Sequence, residues 1–179
     1  MSRDGAAAPR CNGDIMMVKL GITVAILAAL SGQTVGAQTT SVTVLNQAGA
    51  QTVLQAAKQS AQRREAPSAI AVVDRAGDLL AFERMDGVRA VSADLAIGKA
   101  RTAARLQRPT EETEDSINQG RTAFVTADIM ALRGGVPVRV NGEVVGAVGV
   151  AGMSKETDTE IATAASAALG PSSQPPAPD

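Results

Sequence analysis

The 179-residue chain carries 17 basic against 18 acidic side chains and contains no His, Trp or Tyr. Balanced charge without a basic face argues against nucleic acid as a partner, and the lack of imidazole excludes Ser-His-Asp and Cys-His catalytic groups. Phe82 and Phe124 are the only aromatic residues, so alanine, valine and glycine must fill the core; each buries little area at ~25 cal/mol per Å², and a core this thin favours a homo-oligomer.

Residues 16–37, MMVKLGITVAILAALSGQTVGA, have the three parts of a secretory signal. Lys19 is the positive start, Leu20 to Leu30 is an uncharged and mostly apolar run, and Val35-Gly36-Ala37 places small residues before a cleavage at Gln38. The run is too short to cross a ~30 Å hydrocarbon layer as a helix, so we expect export to the periplasm or medium and no stable membrane insertion after cleavage. Residues 1–15 fit no part of the signal, which points to Met16 or Met17 as the true start. The single cysteine, Cys11, lies in the removed part, so the mature chain offers no thiol, no disulfide and no ligands for structural zinc.

From Val44 to about Arg64 the positions Leu45, Ala48, Thr52, Val53 and Ala56 recur every three or four residues, predicting a helix that Pro67 ends. Ser68–Val73 reads as a strand, Asp74–Asp78 as a turn and Leu79–Met85 as the second strand of a hairpin, closed by Asp86-Gly87. Ser92 is the expected N-cap of a helix reaching Gln107, and Pro109 stops it. Thr110 to about Gln119 is another helix, and Phe124–Arg133 reads as irregular with a short strand. Asn141-Gly142 between two valine-rich runs predicts a tight hairpin, with Val136, Val138 and Val140 on one face. Its second strand is rich in glycine and alanine, so another backbone or a ligand should lie close. Ser154 caps a last helix that stops at Leu169-Gly170-Pro171, and residues 171–179 form a Pro/Ser-rich disordered tail. The order α-β-β-α-α-β-β-α predicts one α+β domain over 38–170 with a mainly antiparallel sheet.

The stretches VVDRAGDLLAFERMDG, KARTAA and GGVPVRVNGEVVGAVGVAG, with the D…A…AL of the last helix, resemble the GlcG/HbpS family. This heme-binding or "heme-degrading" domain is also found at the C-terminus of some PduO cobalamin adenosyltransferases. The resemblance covers about residues 43–169. It implies a five-stranded antiparallel sheet flanked by helices and assembly into homo-oligomers. It implies heme as cofactor for some exported members, and an unclear role for members encoded in glycolate, diol or glycerol operons. Since the chain has no histidine, iron would need Met, Lys, a carboxylate or a hydroxyl as ligand, while Arg84, Arg133 or Lys99 could pair with the propionates.

On that basis the ligand-binding candidates are Arg84, Met85, Asp86, Lys99, Gly134, Gly135, Pro137 and Asp158. Arg84-Met85-Asp86 is either an ion-paired rim or part of a pocket. Lys99 sits among alanines and wants an anion: Asp86, Asp158 or a ligand carboxylate. Gly134-Gly135 could bare backbone N–H groups to an anion. Met153 is the candidate thioether ligand for a heme iron, with Met85 and Met130 as alternatives. Two functions follow: an exported heme-binding protein that captures, buffers or slowly degrades heme, or a binding protein or cofactor-independent enzyme for small organic acids or aldehydes. In the second, Lys99 with Asp86 or Asp158 moves protons. A purely structural accessory subunit is the third possibility.

Overall fold

The computed structural model describes residue 38 and residues 40–170; the expected signal segment and the tail at 171–179 lie outside them. In chain order the elements are α1 (Gln47–Arg63), β1 (Ala69–Asp74), β2 (Leu79–Arg84), α2 (Val91–Leu106) and α3 (Thr110–Asn118). They continue with a 3₁₀ turn (Thr122–Thr126), β3 (Gly135–Val140), β4 (Glu143–Ala151) and α4 (Lys155–Ser166). The strands form one antiparallel sheet in the order β2-β1-β4-β3.

Alternation along β1 sorts the core into two layers. Ile70 and Val72 point to one face, where they meet Val53, Leu54 and Ala57 of α1 and Ile161, Ala162 and Ala165 of α4. Ala69, Ala71 and Val73 point to the other, against Ala96, Ala100, Ala103 and Ala104 of α2. The second layer is almost wholly alanine, so α2 can lie very close to the sheet. A methyl group on Gly149 would collide with the Ala96 carbonyl oxygen and come within 2.5 Å of the Ala100 nitrogen. One on Gly135, the partner of Gly149 across β3 and β4, would collide with the Lys99 carbonyl oxygen. The glycine-rich strand is therefore explained by a neighbouring helix backbone.

The turn chemistry acts as predicted. Asp74 Oδ1 accepts from the amides of Ala76, Gly77 and Asp78 at 2.8–2.9 Å. Asn141 and Gly142 both take positive φ, 50° and 83°, which suits the twist of a two-residue hairpin. Val138, with Val136 and Val140 beside it, packs on the α1/α4 layer. The hydroxyl of Ser154 accepts from the Thr157 amide at 3.2 Å, so Ser154→Ala should destabilise the protein by about 1 kcal/mol in urea unfolding.

Four expectations are corrected. The resemblance implied five strands, whereas the sheet among the described residues has four. The short strand expected within Phe124–Arg133 is absent, because this segment lies over α2 instead of along a sheet edge: Met130 packs on Gly98, and its amide donates to Thr102 Oγ1 at 2.8 Å. Ser92 is not the N-cap of α2; Ala90 precedes the helix with helical dihedrals, and Ser92 is buried in the first turn. The buried stripe of α1 is Ala50, Val53, Leu54, Ala57 and Ala61, while Ala48 and Thr52 are exposed. Leu45 belongs to an extended lead-in whose amide donates to Val145 O, and Asn46 starts the helix by accepting from the Gly49 amide.

Candidate functional site

The start of β1, the ends of β2 and β4 and the start of β3 share one end of the sheet, and two helical layers meet there. Lys99 descends from α2 and Asp158 rises from the first turn of α4. Lys99 Nζ donates to Asp158 Oδ2 and to the Val150 carbonyl, each at 2.8 Å. The two side chains are only 4% and 7% exposed, so the pair is a buried staple through the sheet end.

Glycines make the staple possible. Gly134, at φ +110°, packs so closely that a methyl group on it would stand 3.0 Å from Lys99 Nζ and 2.9 Å from Asp158 Cβ. The Gly134 carbonyl accepts from the Val150 amide at 2.8 Å, which ties this loop to β4. Gly135 is held by Thr110, whose hydroxyl accepts from the Gly135 amide at 2.9 Å. On the other side, half-buried Gly152 separates Asp158 Oδ1 from Ser68.

The carboxylate is imperfectly satisfied: Asp158 Oδ1 is buried and makes no hydrogen bond among the described residues. Burial pushes the Asp158 carboxyl above its ordinary value, against the opposing pull of the Lys99 hydrogen bond and charge; the Gly152 amide pulls the same way as Lys99 without forming a hydrogen bond to Oδ1. Paired buried groups of this kind are able to exchange a proton or to anchor the fold.

Of the predicted residues, Lys99, Gly134, Gly135 and Asp158 converge. Asp158, among the anions considered for Lys99, is its partner; Asp86 is exposed after β2. Arg84 is also exposed and lies opposite Ala69, which in turn lies opposite Ala151, so it stands two strands from β4. The Met85 sulfur accepts from the Ser68 amide at 3.4 Å. Pro137 is buried in the edge strand β3 opposite Ala147, where its missing N–H costs no central ladder bond. Met153 is 74% exposed just before the Ser154 cap, whereas Met85 and Met130 are half-buried.

Arg133 is already neutralised: it pairs with Glu111, Glu114 and Asp115 of α3, and the Glu114 hydrogen bond is the main cause holding its guanidinium above the ordinary arginine value. Sequence reading missed these acids as partners, and also missed Thr110 and the Val150 carbonyl as parts of the site. Three carboxylates on one turn of a short helix were the available sign that a cation would be drawn to α3. No group of three or more His, Cys, Asp or Glu side chains among the described residues is placed to hold a metal ion. A shallow groove along α1, bounded by Gln51, Gln55, Gln59 and Ala168, includes none of the predicted site residues.

Comparison with known proteins agrees with this architecture. Protein GlcG of Escherichia coli K12 is 45% identical over 108 residues, covering 60% of this chain and 81% of GlcG. A double mutant of Streptomyces reticuli HbpS superposes with a TM-score of 0.69 at 35% identity, covering 75% of this chain and 93% of HbpS. A PduOC:heme complex gives a TM-score of 0.64 at 28% identity, covering 70% and 95% of the two chains. The family model described as "haem degrading protein HbpS-like" matches residues 45–167, and the chain belongs to that family.

Proposed function

We propose that the chain is an exported heme-binding homo-oligomer of the HbpS type, acting in heme capture, buffering or slow degradation. The observation that carries this reading is family membership together with a structural relative solved as a heme complex. Bound heme would supply the iron chemistry. Met153 offers the iron an accessible thioether at the edge of the sheet end, since no imidazole exists in the chain. In gel filtration with hemin, the absorbance of the pigment should travel with the protein at a molar mass that is a multiple of that of the cleaved chain, residues 38–179. Met153→Leu should leave that mass unchanged and alter the visible spectrum. Hemin eluting apart from the protein would contradict the reading.

A second reading is favoured by the buried pair. Asp158 Oδ1 is an unused acceptor for the hydroxyl of a small hydroxy acid, and the Lys99 ammonium would face the acid's carboxylate or the carbonyl oxygen of an aldehyde, with Lys99 and Asp158 moving the proton. Calorimetric titration with such acids should then show saturable heat that Asp158→Asn abolishes; no heat with the folded wild type would count against it.

A further inference from the structure

Residues 108–121, which contain α3, carry Arg108 and Arg121 at their ends and Glu111, Glu112, Glu114 and Asp115 between them. Arg133 engages Glu111, Glu114 and Asp115, while Glu112 makes no ion pair among the described residues. The side chains of Arg108, just before α3, and Arg121, just after it, make no ion pair or hydrogen bond among the described residues. Both converge on a single ring: their guanidinium carbons lie 5.4 Å and 4.6 Å from the centroid of Phe124. The backbone sets this up, because the 3₁₀ turn folds Phe124 back over α3 after the Arg121 amide donates to Ser116 O at 2.9 Å. Arg139 adds charge alongside by donating to the carbonyl of Gln107 at 2.8 Å. The next residue, Val125, is 69% exposed. Two cations without counter-ions, an aromatic ring and an exposed aliphatic residue therefore share one surface.

We infer that Arg108 and Arg121, seated on Phe124, form a clamp for the two carboxylates of a flat amphiphilic ligand, which on the heme reading above are the propionates. The guanidinium plane suits bidentate recognition of a carboxylate, and the ring holds each cation extended without consuming its N–H donors. Phe124 and Val125 supply apolar surface for the macrocycle edge. A ligand with a single carboxylate would use half of this arrangement, so two are the better match.

The test compares hemin with hemin whose propionates are both esterified, using the full chain. Wild type should bind hemin about tenfold more tightly than the diester, and its affinity should weaken as salt is raised. Arg108→Gln with Arg121→Gln should lower hemin affinity by about the same factor, remove the preference over the diester and flatten the salt dependence. Both positions are outside the core, so circular dichroism should not change. The ester comparison needs no variant and stands even if the double substitution folds poorly. Wild type that binds both pigments equally, or a double variant that binds hemin as tightly as wild type, overturns the clamp and leaves the heme reading intact. Wild type that binds neither pigment overturns both.

Discussion

Replacing Lys99 with Met should destabilise the protein by about 3–5 kcal/mol at neutral pH, because it leaves the Asp158 carboxylate buried without its counter-charge. Replacing both partners, as Lys99→Met with Asp158→Leu, should recover most of that loss, since a buried ion pair and an apolar pair of similar volume are often close in stability. The pH dependence follows from the direction of the Asp158 shift. Its folded pKa lies above the unfolded value, so the native state holds the proton more tightly and the carboxyl favours folding at low pH; this contribution is lost as pH rises from about 4 through the folded pKa. Removing Lys99 takes away the main influence pulling that pKa down, so the window extends further upward. The cost of Lys99→Met should therefore be largest at pH 7 and shrink toward pH 4. Urea unfolding of the two variants across this range is the check, and a pH-independent cost would show that Asp158 is not the residue left stranded.

Gly149→Val should be as damaging, by a different mechanism. Its side chain would enter space already held by the Ala96 carbonyl oxygen and the Ala100 nitrogen, both backbone atoms that cannot rotate away. Relief requires lifting α2 off the sheet, which opens the alanine layer and drags Lys99 from Asp158. Overpacking commonly costs ~1–3 kcal/mol, and a rigid backbone obstacle puts this variant at or beyond the upper end. Gly142→Ala is the contrast: nothing lies within 4 Å of an added methyl group there, and the cost is about 1 kcal/mol for its positive φ of 83°. Equal thermal shifts for the two variants would contradict the close approach of α2.

These two sites also show how much could be read from the chain. The β3–β4 hairpin was legible because Asn141-Gly142 demands one turn geometry and valines alternate on both sides of it. The close packing at Gly149 was half legible: a glycine-rich strand signals a near neighbour, and only the fold shows that the neighbour is α2. The register of α1 was misread because Ala48 and Ala56 are as apolar as Ala50 and Ala57, so an alanine-rich helix gives little contrast between its faces. Lys99 stood out among alanines, but Asp86 and Asp158 were equivalent as partners until the chain was folded; sequence distance carries no information about which layer each occupies. The capture of Arg133 by α3, which leaves Arg108 and Arg121 unpaired, depends on three segments meeting and has no local signature. The fifth strand rested on the resemblance and on the short strand expected within Phe124–Arg133, a segment that packs over α2 instead.

The central claim is that this histidine-free member of the HbpS-like family binds heme. Spectrophotometric titration of the full chain with hemin at micromolar concentration tests it most directly. The Soret band should shift and saturate at a fixed ratio of hemin to chain; a spectrum that stays that of free hemin at every ratio would contradict heme binding.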